Sequence, residues 1–229
     1  MRGPSHVCSA TPNQDSWLLF ESSRAIGVAV SDGVGSKRFA DLGSAAASRA
    51  VRLAVREASS EVQSSKLERL PERIHAYWLS RIRPFEVRDC AATCLYACVS
   101  SDGNLHVGLI GDGSIGVLKN DGEVEVLEAD KESSFSNMTI SLGVDKAFNS
   151  WRTAEFAESE CQAVLLCTDG VCDDLEDFQG FVRDFVFSHS SKSVGAASRS
   201  ARRMLEEWPV PGHSDDKTIA CLYRVLDNG

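Results

Sequence analysis

Three aspartates follow short apolar runs and precede glycine, and these residues are the ones most able to do chemistry together. Asp32 closes the run AIGVAVS, Asp169 closes AVLLCT, and Asp112 closes a weaker version, VGLIG. A short apolar run that ends at Asp-Gly is typical of a buried strand followed by a tight turn. The three carboxylates are therefore predicted to stand at the ends of three strands.

Carboxylates that converge in this way indicate a cation site. Like charges brought close together are costly unless positive charge lies between them, and hard oxygen donors favour Mg²⁺ or Mn²⁺ over Zn²⁺. The alternative is that each aspartate is only a turn former, because Asp-Gly is also the commonest hairpin turn. That alternative is the stronger one for any single aspartate and the weaker one for all three together.

The bulk composition is that of an ordinary globular protein. The 229 residues are 43% hydrophobic and 25% charged, which suits one substantial core, so a single domain over residues 1–229 is expected. The net charge of −9 argues against nonspecific binding to nucleic acid or to anionic membranes. No apolar run is long enough to cross a bilayer, and the N-terminal stretch lacks the apolar core of a signal peptide.

The eight cysteines indicate a reducing compartment. No CxxC pair occurs, and most of the cysteines lie inside apolar strand-like runs, where a free thiol behaves as a small hydrophobe. A cytoplasmic location is therefore expected, for a protein that acts as a monomer.

The order of the predicted elements indicates the fold. Strands are predicted over residues 17–20, 24–31, 92–100, 105–111, 114–119, 123–127, 151–156, 161–168 and 217–225. Helices are predicted over residues 42–59, 71–83, 175–187 and 194–208. Residues 1–16 and the long polar connection 128–149 show no clear element, and such long connections are often functional.

Tight turns join most neighbouring strands, so the sheets are predicted to be mostly antiparallel. The helices come in pairs instead of alternating with each strand, which argues against a doubly wound parallel sheet. The expected fold class is α+β, a four-layer α-β-β-α sandwich in which a helix pair flanks each of two sheets.

Six short motifs, taken in order, resemble the type 2C family of metal-dependent protein serine/threonine phosphatases. They are Asn13-Gln14-Asp15, Ser31-Asp32-Gly33-Val34-Gly35, Ala92-Thr93, Gly111-Asp112-Gly113, Thr168-Asp169-Gly170-Val171 and Asp215-Asp216-Lys217-Thr218. The order and spacing are specific, although no single motif is. Short bacterial members resemble the chain best, through a Gly-x-Ser-His opening followed by Gln-Asp. The family fold, a β-sandwich flanked by two helical pairs, agrees with the predicted element order.

The resemblance implies a metal-binding role for several motif residues. Asp32 would bridge two divalent ions, and the Gly33 carbonyl would complete one of them. Asp169 and Asp215 would bind the first ion, and Asp112 would serve, with Asp169, a third ion. Two to three Mn²⁺ or Mg²⁺ ions are thus implied as cofactors, and a water held between two of them would attack the phosphorus atom.

A second layer of residues would support these ligands. The resemblance implies that Gln14 and Asp15 hold waters on the second ion. Asp216 stands where the family more often has Asn, and is interpreted as an outer-layer residue as well.

Two departures from the family pattern affect the phosphate site. Ala10 stands where the family usually has a phosphate-binding Arg, and Val34 stands where many members have a His that is a candidate general acid. His6, Lys37 and Arg38 lie in segments that flank the site and are the candidates to replace them. The alternatives are that His6 is a surface residue near the terminus and that the other two are solvated loop charges.

The function implied is hydrolysis of phosphoserine and phosphothreonine in proteins, and the phosphorylated substrate would be a cognate serine/threonine kinase or a target of that kinase. The second hypothesis is a weak or inactive phosphatase-like module that binds a phosphoprotein or kinase through the same face. A calcium-stabilised binding domain is disfavoured because the sequence has no EF-hand loop. The family also implies that the connection 128–149 is a flap that selects the substrate, in part through charges at Asp130, Lys131 and Glu132.

Overall fold

Two antiparallel sheets form the centre of the fold. The computed structural model describes residues 1–60, 69–129, 140–143 and 150–224. The strands are β1 (Asp15–Glu21), β2 (Ala25–Asp32), β3 (Cys94–Ser100), β4 (Asn104–Ile110), β5 (Ser114–Lys119), β6 (Val124–Glu128), β7 (Arg152–Ala157), β8 (Cys161–Cys167) and β9 (Ile219–Tyr223). One sheet has the order β1-β2-β3-β4-β7 and the other has the order β6-β5-β8-β9. Every neighbouring pair of strands is antiparallel.

Four longer helices flank the sheets, and two short ones lie near strand ends. The helices are α1 (Pro4–Cys8), α2 (Ala40–Ser60), α3 (Leu70–Arg81), α4 (Asp169–Cys172), α5 (Phe178–His189) and α6 (Val194–Glu206). Single turns of 3₁₀ helix occur at Val87–Asp89 and Glu158–Glu160. Among the described residues, no helix has the length and apolar character that a membrane span requires.

Three buried layers of side chains hold the sandwich together. The layer between α2, α3 and the five-stranded sheet is rich in small residues of α2, such as Ala47, Ala50 and Ala54, which are fully buried. Small side chains let this helix lie close to the flat face of the sheet. Trp78 of α3 fills the same layer, and its indole N–H donates to the carbonyl of Gly43 at 3.1 Å.

The other two layers are built from branched and aromatic side chains. Val30 and Leu95 of the first sheet meet Ile115 of the second between the sheets. The outer layer packs α5 and α6 on the second sheet through Val182, Leu205 and their neighbours. The predicted four-layer α-β-β-α architecture is confirmed.

The predicted helices and strands agree with the observed ones to within a few residues, but the N-terminal region does not. Residues 1–16 show no periodicity, and yet α1 forms there because its backbone is tied to a distant segment. The N–H of Ser5 donates to Ser214 O at 3.1 Å. The connection predicted over 128–149 lies largely outside the described residues, and so do Asp130, Lys131 and Glu132. All eight cysteines are free thiols.

Candidate active site

Asp15 and Asp32 lie opposite each other where β1 begins and β2 ends. The antiparallel register of these strands pairs Asp15 directly with Asp32. Thr93 fixes the end of β2, because its Oγ1 accepts from the N–H of Asp32 at 2.8 Å and its own N–H donates to the Asp32 carbonyl at 2.7 Å. The register of one hairpin therefore brings these two carboxylates together, although the sequence predicts a strand-end position only for Asp32.

Thr168 connects this pair to the second sheet. Its hydroxyl donates to Oδ2 of Asp15 at 3.0 Å, and its Oγ1 accepts from the N–H of Thr218 at 3.0 Å. Thr168 follows β8 directly, and Thr218 directly precedes β9. The ends of both sheets thus meet at one end of the sandwich.

Asp169 and Asp215 stand on two turns that pack tightly against each other. Asp169 begins α4 and accepts from the N–H of Gly170 at 2.7 Å, whereas Asp215 accepts from the N–H of Asp216 at 2.8 Å. A Cβ atom at position 170 would lie 2.0 Å from the carbonyl oxygen of Asp216. Only glycine allows this approach, so the sequence Asp-Gly at 169–170 sets the spacing of the two turns.

A cavity of about 200 Å³ lies between these two turns. It is lined chiefly by acidic and basic side chains, namely Asp169, Asp173, Asp174, His213, Asp215 and Lys217. Nδ1 of His213 is buried and has no hydrogen-bond partner within the described part of the chain. Sequence reasoning did not select His213, because a histidine in the Pro-Gly-rich segment WPVPGHSDD carries no local signal.

Asp112 joins the acidic group from the end of β4. Its charge contributes to the raised pKa of Asp169, which places the two carboxylates near each other. Gly111 precedes it with φ of +116°, and a Cβ atom there would lie 2.5 Å from the side chain of Thr93. Glycine is therefore required at the turn that presents Asp112.

Asp216 ties the N-terminal segment to the site. Its carboxylate is buried and accepts from the N–H groups of Gly3 and Gln14, both at 2.6 Å. Nδ1 of His6 lies 2.9 Å from Oδ2 of the same carboxylate. Gln14 is buried, and its carbonyl accepts from the N–H of Gly33 at 3.1 Å. His6 is therefore not a detached surface histidine, because its ring lies against the buried carboxylate of Asp216.

Lys217 is a buried cation that sequence reasoning missed. Its side chain is 1% exposed, and Nζ donates to the Gly170 carbonyl and to Oδ2 of Asp174, the latter at 2.9 Å. The indole N–H of Trp208 donates to the same oxygen at 2.8 Å, and Nζ lies 5.4 Å from the centre of the indole ring. This ion pair joins the turn of Asp169 to the segment of Asp215.

Lys37 and Arg38 lie in the loop that follows Gly33. Lys37 is half-buried, whereas Arg38 is exposed and its guanidinium carbon lies 5.0 Å from the centre of the Phe39 ring. Ala10 is exposed and has φ of 56°. The loop that carries Lys37 and Arg38 is thus next to the site along the chain. A role for the two side chains is a proposal.

Three carboxyl groups of the site, those of Asp15, Asp32 and Asp169, have raised pKa values. Burial, and then the charges of Asp15 and Asp169, raise the pKa of Asp32 far above its usual range. Burial likewise raises the pKa of Asp15, and burial together with Asp112 and Asp215 raises the pKa of Asp169 to about 7. A bound cation would reverse these shifts because it would favour the ionised forms.

The donor set fits a divalent cation of the Mg²⁺ or Mn²⁺ type. The donor set consists of carboxylates from both sheets. When Asp32 is ionised, the buried Oδ1 of Asp15 accepts no hydrogen bond from any N–H or O–H group of the described residues. Within residues 1–60, 69–129, 140–143 and 150–224, no three His, Cys, Asp or Glu side chains are already gathered in a geometry that could hold an ion. Asp169 and Asp215 instead accept from neighbouring backbone N–H groups.

Comparison with known proteins identifies the family. The sequence model described as protein phosphatase 2C matches residues 2–208. The chain belongs to the protein phosphatase 2C family. The resemblance read from the six motifs is thereby confirmed, and so is the activity class, a metal-dependent protein serine/threonine phosphatase. A search of the curated proteins gives no match.

Solved structures agree with this fold at low sequence identity. A bacterial serine phosphatase has a TM-score of 0.67 at 16% identity, and the match covers 94% of this chain and 92% of that one. The serine/threonine phosphatase Stp1 from Staphylococcus aureus has a TM-score of 0.67 at 15% identity, over 94% and 90% of the two chains. RsbX in complex with magnesium has a TM-score of 0.56 at 15% identity, over 92% and 86%. Identities this low show the fold alone.

Proposed function

We propose that the acidic end of the sandwich is the catalytic centre of a phosphoserine and phosphothreonine phosphatase. Asp32, Asp169 and Asp215, with the Gly33 carbonyl, hold two divalent ions, and Asp112 serves a third together with Asp169. The observation that carries this proposal is the convergence of carboxylates from both sheets at one end of the sandwich, because a bound cation would offset the repulsion between them. When bound, the ions lower the pKa of a water molecule so that it can attack phosphorus near neutral pH.

The residues around these ligands hold them in position. Thr93 and Thr168 fix the strand ends that carry Asp32 and Asp15 through hydrogen bonds of 2.8 and 3.0 Å. Asp15 and Gln14 orient waters from an outer layer. Asp216 holds the N-terminal segment against the site, so its role is to position and not to bind an ion.

Mg²⁺ or Mn²⁺ is the proposed cofactor. Carboxylate and carbonyl oxygens suit these hard ions, and the related RsbX was obtained with magnesium. Two to three ions are proposed, as the resemblance to the family implies.

The substrate phosphate is an anion and needs a positively charged partner. Because Ala10 replaces the Arg that usually has this role in the family, another residue must supply the charge. His6, Lys37 and Arg38 are the proposed substitutes. His6 is supported by its place beside Asp216, 18% exposed, where the ring is held against the site wall. Lys37 and Arg38 are supported by the loop that begins at Gly33.

The proposed setting is cytoplasmic, with a phosphorylated protein as substrate and a serine/threonine kinase as the enzyme that opposes it. A single domain over residues 1–229 and a monomeric state are proposed as well. The hydrogen bonds of Gly3 and Gln14 to Asp216 support the single domain, since they join the two ends of the described chain.

The test is hydrolysis of a phosphothreonine peptide with Mn²⁺, before and after addition of a chelator. Turnover should require millimolar-range metal, stop with the chelator and return when Mn²⁺ is restored in excess. Hydrolysis by a metal-stripped sample would contradict the proposal. The alternative, a phosphatase-like module without activity, is favoured by Ala10 and predicts peptide binding with no turnover at any metal concentration.

A further inference from the structure

The loop of residues 34–39 and the segment 81–91 form one surface beside the catalytic end. The N–H of Val34 donates to Ala91 O at 3.0 Å, and the N–H of Phe39 donates to Asp89 O at 2.8 Å. Because the loop begins directly after Gly33, these backbone bonds place the segment beside the proposed cation ligands. Gly43 fixes the same segment, since a Cβ atom there would lie 1.9 Å from the Cys90 carbonyl oxygen.

Aromatic stacking orders this surface. The rings of Phe39 and Phe85 lie with centroids 4.4 Å apart, and the guanidinium carbon of Arg38 lies 5.0 Å from the Phe39 centroid. Phe85 and Val87 are nevertheless 37% and 40% exposed. The surface therefore offers apolar side chains together with an arginine whose position is already restricted, which lowers the entropy cost of binding.

The surface also collects positive charge in an acidic protein. Residues 81–91 read RIRPFEVRDCA, with three arginines against one glutamate and one aspartate, while the whole chain has a net charge of −9. Arg38, Arg83 and Arg88 are exposed and form no ion pair within the described residues. Other arginines do pair, as Arg202 does with Glu206 at 2.8 Å.

We propose that this basic patch, defined as Arg38, Arg83, Phe85, Val87 and Arg88, binds acidic residues that flank the phosphorylated residue of a protein substrate. The inference rests on the proposed phosphatase function and adds the class of substrate. Unpaired guanidinium groups complement carboxylates, and the exposed Phe85 and Val87 suit an apolar side chain of the same peptide. The net charge of −9 disfavours an extended polyanion such as nucleic acid.

The experiment uses two phosphothreonine peptides that differ only in their flanking residues, one with aspartates and one with lysines, and p-nitrophenyl phosphate as a small substrate. The double variant Arg83→Glu/Arg88→Glu should lower kcat/KM for the acidic peptide about tenfold or more, mainly through KM. It should raise kcat/KM for the basic peptide and change turnover of p-nitrophenyl phosphate by less than about twofold. Added salt should weaken the preference of the natural chain for the acidic peptide.

A matched control separates the patch from net charge. Arg52→Glu/Arg56→Glu makes the same change in charge on exposed positions of α2, about 18 and about 24 Å along the helix from its start at Ala40. This control should leave the ratio of the two peptide rates unchanged. An equal effect of both double variants would overturn the proposal, and so would an equal loss on p-nitrophenyl phosphate and on the acidic peptide.

Binding of the labelled peptides in the presence of a chelator distinguishes this inference from the catalytic one. If the chain shows no turnover but binds the acidic peptide more tightly than the basic one, and Arg83→Gln/Arg88→Gln removes the difference, the patch stands and the catalytic proposal fails. Equal binding of both peptides by the natural chain overturns the patch, whatever the activity. The milder glutamine variant covers the case in which charge reversal prevents folding.

Discussion

The acidic site has two walls that balance their charge in different ways. The first wall is Asp15 and Asp32, where the charges with the largest effect on Asp32 are the carboxylates of Asp15 and Asp169. The second wall is the turn 169–174 with the segment 213–218, where Lys217 is buried against Asp174 at 2.9 Å. Both walls contain repelling carboxylates, but only the second has a buried lysine beside them among the described residues.

This difference between the two walls indicates which part of the site keeps its shape without an ion and which part depends on a bound ion. The Lys217–Asp174 pair joins two turns permanently, so the second wall can keep its shape whether or not an ion is bound. The first wall is costly until a cation arrives, because its carboxyl groups are buried beside each other. Binding of the cation then recovers that cost, so we expect Asp32 to contribute to the ion affinity together with Asp169 and Asp215, while the Lys217–Asp174 pair keeps the second wall rigid.

The largest expected effect is loss of activity when the first wall is broken. Asp32→Asn removes the carboxylate proposed to contact two ions, so turnover of a phosphothreonine peptide with Mn²⁺ should fall about 10⁴-fold, equivalent to about 5 kcal/mol. The control Asp184→Asn changes an exposed aspartate on α5 and should keep near-native turnover. Near-native turnover of the Asp32 variant would show that this residue is not a core ligand.

The second prediction breaks the second wall. Lys217→Met leaves the Asp174 carboxylate, which is 23% exposed, and the Gly170 carbonyl without their cationic donor, so the free energy of unfolding of the metal-free protein should fall by about 1–3 kcal/mol in urea denaturation. The control is Lys119→Met, because Lys119 pairs with Glu125 at 2.9 Å near the surface, and it should cost about 1 kcal/mol or less. Adding Asp174→Leu to the Lys217 variant should recover part of the loss. Equal costs for the two lysine variants would show that the buried pair gives no stability.

The carboxylates that follow buried strands could be predicted from the sequence, and the buried Lys217–Asp174 pair could not. Asp32 and Asp169 each follow a local apolar run, and a strand that ends at Asp-Gly is a property of neighbouring residues. Lys217 depends on Asp174, which is 43 positions away and has no periodic relation to it. A lysine before an apolar strand reads as solvated, and only tertiary packing makes it a buried partner.

The same distinction between local and distant interactions explains where the predicted helices differ from the observed ones. The helix α5 was expected to begin at Leu175 but begins at Phe178, because Asp177 caps it by accepting from the N–H of Gly180 at 2.8 Å. The helix α1 was missed because five residues carry too little periodicity and its stability comes from contacts with Ser214 and Asp216. Local capping could have been read from the sequence, whereas the distant anchor of α1 could not.

The third prediction concerns how much the buried carboxyl groups of the first wall lower the stability of the metal-free protein. At Mn²⁺ concentrations about 100-fold above the dissociation constant, binding should add about 2.7 kcal/mol to the stability of the natural chain. Asp32→Asn should lose most of this gain, and its metal-free form should melt a few degrees higher than the natural chain, since about 1 kcal/mol corresponds to about 2–4 °C at this size. Thermal melts with Mn²⁺ and with chelator report both effects. A metal-free variant that melts lower would mean that repulsion in the first wall is not a significant cost.

The smallest expected effect is an opposite response of two aspartates to pH in the metal-free chain. The pKa of Asp169 is raised to about 7, so the folded state keeps a proton that the unfolded state has lost. The contribution of Asp169 to the free energy of unfolding is fully present below about pH 4 and is lost as pH rises through about 7, by about 1 kcal/mol between about pH 6 and 8.

Asp174 responds in the opposite direction. Burial alone would raise the pKa of Asp174, but hydrogen bonds from Lys217 and Trp208 lower it, so its contribution to stability is present above about pH 4 and is lost as pH falls. Melting temperatures with chelator should therefore fall less steeply above about pH 6 in Asp169→Asn than in the natural chain, whereas Asp174→Asn should alter only the acid side. A slope above pH 6 that Asp169→Asn leaves unchanged would assign the titration to Asp15 and Asp32 instead.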